Sequence, residues 1–300
     1  MKLRKTFIAA LSGAAALAMA AGASDAADLE QIVTDPNWAA TISSGYLGTF
    51  FGFPDGGPDG DVETHAFFGE GAALWRFGEM MNVQSDFAFN SHRGAGKLDG
   101  KAIDQWHAGG VLFMRDQSMG LVGVDAAFGG VDFFGKGIDV FRVGGRFEWF
   151  ASDMLTVGGG VGYHNLDIGG GGGPGGKEID GVNANGWINF FASDKLGLKA
   201  QFDYARFDFS GGGKAIDVWA VTGEAEYLVS DITSTNSSVF AGGRYAEYSA
   251  DPGPTFLDET QVFVGFRHYF VTGGDLANNK RTNTLDNTNT ILERLPFFFF

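Results

Sequence analysis

Residues 138–168 read IDVFRVGGRFEWFASDMLTVGGGVGYHNLDI, and residues 180–209 read DGVNANGWINFFASDKLGLKAQFDYARFDF. Each stretch is two alternating runs joined by the same break, Phe-Ala-Ser-Asp, at 150–153 and 191–194. In the first run Phe141, Val143, Gly145, Phe147 and Trp149 fall on one face of an extended chain, and Arg142, Gly144, Arg146 and Glu148 on the other. Successive side chains of a strand point to opposite faces, so one face is greasy and the other charged. In the second stretch Val182, Ala184, Gly186, Ile188 and Phe190 alternate with Asn183, Asn185, Trp187 and Asn189. Leu196, Leu198, Ala200, Phe202 and Tyr204 then alternate with Gly197, Lys199, Gln201 and Asp203. Runs of about 9–11 residues with this pattern are the length of a tilted strand crossing a bilayer.

The rest of the 300-residue chain agrees with that reading. No internal apolar run approaches the ~18 residues that a spanning helix needs. A hydrophobic content of 44% and a mean hydropathy of -0.02 look soluble, yet a membrane barrel turns only alternate residues to lipid. The one long apolar run, Phe7 to Ala21, follows Lys2, Arg4 and Lys5 and precedes small residues. That order predicts a secretory signal peptide over 1–26, with cleavage after Ala20, Ala23 or Ala26. The chain has no cysteine, so no disulfide framework is expected. A net charge of -15 argues against nucleic acid as a partner.

Strand-like runs recur at 39–53, 63–78, 81–93, 102–115, 119–133, 138–150, 154–168, 180–191, 195–209, 215–229, 238–250 and 257–270. The connections alternate. One set is tight, as at 78–80, 116–118, 151–153 and 192–194, with 230–237 longer in the same series. The other is rich in Gly, Pro and Asp, as at 54–61, 94–101, 134–137, 169–178, 210–214 and 251–255. The expectation is an all-β fold: a closed, antiparallel, up-and-down transmembrane β-barrel of about twelve strands over 39–270, with the tight turns facing the periplasm. Residues 27–38 read as a periplasmic lead-in and 271–300 as a flexible polar tail.

With these runs on the page, the sequence resembles Gram-negative outer-membrane β-barrel proteins, the porin-like class in the broad sense. Val262, Val264, Phe266, His268 and Phe270 match the alternate apolar residues of the closing strand that such proteins present to the barrel assembly machinery. The resemblance implies residence among outer-membrane lipid and lipopolysaccharide. About thirty residues follow Phe270, which departs from the pattern.

Charge placement sets the orientation of the strands. An Arg on the lipid face at mid-membrane costs roughly 2–4 kcal/mol, whereas strand propensity spans only about 1 kcal/mol. The phase that spares lipid from charge predicts an inward set: Glu70, Arg76, Asp86, Arg115, Asp125, Arg142, Arg146, Glu148, Lys199, Asp203, Glu224, Glu226, Arg244 and Arg267. Its seven acids and seven bases balance, and glycines on the same face suggest room. These residues are expected to line a pore for passive diffusion of small hydrophilic solutes, led by Arg142, Arg146, Glu148, Glu224, Glu226 and Arg244. Arg206 and Asp208 break the phase of their strand and are placed above the membrane.

Other readings compete with the pore. An embedded hydrolase or acyltransferase would need a nucleophile and an acid near a histidine. His107 and His164 share the inward phase, His65 and His92 lie near the outer rim and His268 near the inner. Ser91 and His92 are strand neighbours and so diverge. No catalytic set, cofactor or metal site is expected. Asp55, Asp59, Asp61 and Glu63 read as a solvated acidic turn rather than a calcium loop. Gly169 to Gly176 reads as an outer loop, without the Lys-Ser/Thr of a phosphate loop. Trp75, Phe113, Trp149, Phe150, Phe190 and Tyr227 read as interface girdle residues. A closed structural or adhesive barrel is the third reading.

Overall fold

The computed structural model describes residues 37–53, 62–78, 80–96, 102–133, 136–168, 177–209, 215–229, 236–251, 253–270 and 275–285. The leader, Asp55, Asp59, Asp61, the glycine run 169–176 and the end of the tail lie outside them. Twelve strands follow in chain order: β1 (Trp38–Gly52), β2 (Val62–Phe77), β3 (Met81–Gly96), β4 (Ala102–Asp116), β5 (Gly120–Phe133), β6 (Lys136–Ser152), β7 (Leu155–Ile168), β8 (Lys177–Phe191), β9 (Leu196–Phe209), β10 (Ala215–Leu228), β11 (Ser237–Asp251) and β12 (Thr255–Tyr269). Each pairs antiparallel with its sequence neighbours, and β1 pairs with β12, so the sheet has no edge. Every strand end lies within three residues of the expected one. A helix, α1 (Leu276–Thr282), follows β12.

The outer surface is what alternation dictates. Val122, Val124, Phe147, Val161, Val182, Phe202, Val262 and Val264 are exposed around the barrel, where hydrocarbon replaces water for a membrane protein. Aromatics bound this belt. Near the tight turns stand Trp75, Trp149, Phe190 and Tyr227; nearer the loops stand Phe141, Tyr163, Tyr204 and Tyr245. Trp149 and Phe141 on β6 are eight residues apart. At about 3.3 Å per residue and a 35–45° tilt, that separation spans about 20 Å of membrane normal. Two of the expected girdle residues are not in it. Phe113 and Phe150 are 1% and 6% exposed, because they share the phase of Arg115 and Glu148 and so turn into the barrel.

The strands are longer than a crossing requires, from 14 residues in β7 to 17 in β6. The excess lies at the loop end, and there the polarity inverts. Outside, Ser91 and Arg93 bond Asp104. Tyr163 and Asn165 both donate to Asp180, and Tyr204 donates to Asp217 at 2.6 Å. Arg206 pairs with Asp208, Asp217 and Asp251 at 3.7, 3.5 and 2.6 Å. Inside, an apolar cluster holds Phe51, Val62, Ile103, Val131, Ile138, Val140, Leu166, Ile179, Phe207, Ile216, Val218, Tyr248 and Leu257. Eleven strands, all but β3, contribute to it. A barrel end with a wet exterior and a dry core is built like a soluble protein.

Glycine does not leave the lumen empty. On β7 a Cβ at Gly158 would sit 2.3 Å from the Trp187 ring, and one at Gly162 would sit 2.6 Å from Asn183 Oδ1. Side chains of β8 therefore lie flat across β7, and the space read as vacant is filled. Gly120, at φ +142, would drive a Cβ to 2.0 Å from the Glu148 carbonyl, so the tight turn into β5 requires glycine.

Candidate functional site: a polar chamber between two closures

The fourteen charged residues all stand in the phase of the buried face. Asp86, Arg115, Asp125, Arg142, Asp203, Glu226 and Arg244 are buried. Glu70, Arg76, Arg146, Glu148, Lys199, Glu224 and Arg267 are partly buried. They do not form one ring. A cavity of about 180 Å³ lies between Ser43, Glu70, Asn90, Lys199, Gln201, Thr222, Glu224, Arg244, Gln261 and Arg267. That is room for roughly a dozen waters. Five of the fourteen line it: Glu70, Lys199, Glu224, Arg244 and Arg267.

Register explains the lining. Thr222 of β10 stands opposite Gln201 of β9 and Arg244 of β11, and Arg244 stands opposite Gln261 of β12. One cross-strand row therefore carries three polar residues beside a guanidinium. Arg244 donates to Glu259, which also accepts from Tyr248 at 2.8 Å. The Nε and Nη2 of Arg244 have no partner among the described residues, nor has the Thr222 hydroxyl. Glu226 accepts from Arg267, from Ser238 at 2.5 Å and from Tyr269 at 2.6 Å, and Lys280 stands 3.0 Å away. Low-dielectric surroundings favour such compensated charges over lone ones.

Asp86, Asp125, Arg142, Arg146 and Glu148 belong to a second network. Arg142 donates to Asp125, with side chains 10% and 1% exposed. Arg146 lies 3.9 Å from Glu148 and 5.5 Å from the Trp187 ring centroid. His107 is 3.8 Å from Asp86, and His164 bonds Asn183 at 2.7 Å. Of the six leading members chosen from sequence, Glu224 and Arg244 line the cavity, and Arg142, Arg146, Glu148 and Glu226 do not. Glu259 was missed although it shares the phase of Gln261 and Arg267.

The apolar cluster lines the lumen toward the loop end. The turn end is filled by the chain itself. The tail expected to be flexible contains an ordered segment, Asp275–Leu285. Asp275 caps α1 by accepting from the Asn278 amide at 2.7 Å. Leu276, fully buried, packs on Phe191 and Tyr269. Arg281 donates to the Ser152 carbonyl, the Leu155 carbonyl at 3.2 Å and Thr156 at 3.1 Å, beneath Phe150. Burial lowers the pKa of this guanidinium below its ordinary value. Beyond the helix the barrel wall reads main chain. Arg76 donates to the Thr282 carbonyl at 2.5 Å, and Arg115 to the Asn283 carbonyl at 3.0 Å. Gln84 donates to the Leu285 carbonyl at 3.2 Å and accepts from the Leu285 amide at 2.7 Å. Leu285 packs among Ala39, Leu74, Val111, Phe113 and Leu121. Lys280, Thr284 and Leu285 thus form the floor of the chamber.

Among the described residues no histidine is bonded to both a hydroxyl and a carboxylate. His92 is fully buried beside Thr64, while Ser91 turns outward to Asp104. His268 bonds Ser237 at 2.8 Å, and no carboxylate among the described residues bonds its ring. His65 lies 3.9 Å from Glu63.

No protein-family model matches the sequence, and no curated protein matches it. The structure is similar to an outer-membrane channel from Pseudomonas putida F1, with a TM-score of 0.58 at 8% identity over 78% of this chain and 95% of that one. Weaker likenesses are to the translocator domain of the autotransporter NalP from Neisseria meningitidis, with a TM-score of 0.47 at 13% identity over 86% and 97% of the chains, and to the KdgM porin, with 0.41 at 9% over 76% and 98%. The chain has the fold of outer-membrane β-barrels.

Proposed function

We propose that this chain is exported by its leader, placed in a Gram-negative outer membrane by the barrel assembly machinery, and serves as a porin-like channel for passive diffusion of small hydrophilic solutes. One observation carries the reading. The centre of the barrel holds open space beside both signs of charge: Glu70, Lys199, Glu224, Arg244 and Arg267 line the chamber together with Leu47, Phe68, Phe240 and Phe263. Glu70 and Glu224 share its lining with Lys199, Arg244 and Arg267, which suits polar solutes of either charge. Lipid and lipopolysaccharide surround the apolar belt.

Among the described residues the apolar cluster and the segment Asp275–Leu285 narrow the lumen on either side of the chamber, so conduction is expected to need movement at one or both. Planar-bilayer recording of the purified full chain tests the reading, together with liposome swelling in small sugars. Discrete conductance steps and swelling support the channel. The apolar cluster at the loop end favours a second reading, a permanently closed structural barrel. Silence of the full chain, and of variants that loosen both ends, would establish that alternative.

A further inference from the structure

The wall at the turn end recognises a peptide backbone. Arg76, Gln84 and Arg115 come from three consecutive strands, and each donates to a main-chain carbonyl in the run Thr282–Leu285. Gln84 also accepts the Leu285 amide. A side-chain amide that both donates to and accepts from one residue's backbone treats it as a neighbouring strand would. Side chains of the segment add to this: Thr284 bonds Thr41 at 2.5 Å, the Asn279 and Asn236 amides exchange bonds at 3.0 and 3.1 Å, and Leu276 and Leu285 fill apolar sockets. Across the mouth the helical part is held by charge, through Lys280 to Glu226 and Arg281 to the turn carbonyls.

We propose that the turn-end mouth is a binding site for a short helix with an extended end, occupied by this chain's own segment Asp275–Leu285, which acts as a stopper beneath the chamber. The proposal goes beyond the channel reading, because a stopper can seat in a barrel that never conducts. The segment adds no strand to the closed sheet, and it is held by side-chain bonds that can break without opening the ladder.

The chain lacks cysteine, which gives two readouts that need no conductance. In the first, Thr41→Cys and Thr284→Cys are combined in the full chain and oxidised. A disulfide is expected, with Asn90→Cys and Gln105→Cys on paired wall strands, 3.1 Å apart in the native side chains, as the positive control. In the second, Thr222→Cys in the chamber reports access of a small charged methanethiosulfonate. Adding Lys280→Ala and Arg281→Ala removes charge-assisted bonds from the tail while leaving the wall intact. Labelling should rise about tenfold or more. A synthetic peptide spanning residues 275–285, added in trans, should slow it again. Heat-modifiable gel mobility confirms that each variant is a folded barrel. An absent 41–284 crosslink beside a formed control, or labelling that neither the tail substitutions nor the peptide alter, would overturn the stopper. Crosslink and protection without any conductance would leave the stopper standing and remove the channel.

Discussion

At the level of single residues, the decisive quantity is the cost of a charge in the wrong place. Arg142 and Asp125 are both buried and bonded to each other. Removing one partner strands the other, at a cost of about 3–5 kcal/mol. Arg142→Ala should therefore destabilise the barrel by about that amount in urea titrations of the vesicle-inserted protein, and the double replacement Arg142→Met with Asp125→Leu should recover most of it. A single variant within error of the wild type would show that the pair is hydrated rather than buried. Arg244 makes a different prediction. It lines the chamber and keeps two nitrogens unbonded among the described residues, while its third nitrogen engages Glu259. In any conducting state its removal subtracts one positive charge beside the path. Arg244→Gln should shift the reversal potential in a salt gradient toward cation preference. Arg142→Gln, walled off from the chamber, should shift it less.

For the strands, the question is where lipid ends and water begins. Val161 and Asn165 share the outward face of β7, four residues apart. Val161 is 63% exposed within the apolar belt, whereas Asn165 donates to Asp180 in the polar collar. Val161→Arg should cost about 2–4 kcal/mol, and Asn165→Arg close to nothing. Equal costs would put both positions in hydrocarbon and move the collar into the membrane. The existence and phase of the strands were legible in the sequence because a lipid-facing strand tolerates no error of period. Arg142, Arg146 and Glu148 alone exclude the opposite phase of β6. Three features were not legible, each for a physical reason. The apolar layer was hidden because charges mark a lumen only where it is wet. Ile138, Val140 and Leu166 look like lipid-facing residues until their phase is counted from the centre of the strand. The lumen seemed open because a glycine such as Gly158 reports its own small volume and not the Trp187 laid over it. The docking of Asp275–Leu285 has no periodic signature, because part of it is bonding to carbonyls and amides, which every sequence carries, and the rest comes from scattered side chains such as Leu276, Lys280 and Arg281.

Across the molecule, the chamber lies between two closures of unlike chemistry, a dry layer toward the loops and a hydrogen-bonded stopper toward the turns. Resistances in series add, so where the two closures resist flow comparably, removing one still leaves the other to limit it. Loosening the stopper with Lys280→Ala and Arg281→Ala removes bonds from one end only. Thinning the layer with Leu166→Ala and Phe207→Ala, at residues 1% and 2% exposed, opens space at the other end and costs about 2–5 kcal/mol per site in stability. Each pair of changes alone should leave single-channel conductance near that of the unaltered chain. The four together should raise it far beyond the product of the separate effects, provided that gel mobility shows the barrels folded. Full conductance from the stopper changes alone would mean that the dry layer already passes water and ions, by dewetting and rewetting as hydrophobic constrictions do. Full conductance from the layer changes alone would mean that the segment leaves its seat on the recording timescale. A silent fourfold variant with an intact fold would show that no aqueous path runs through the polar centre, and its buried charges would then serve only to hold twelve strands in register.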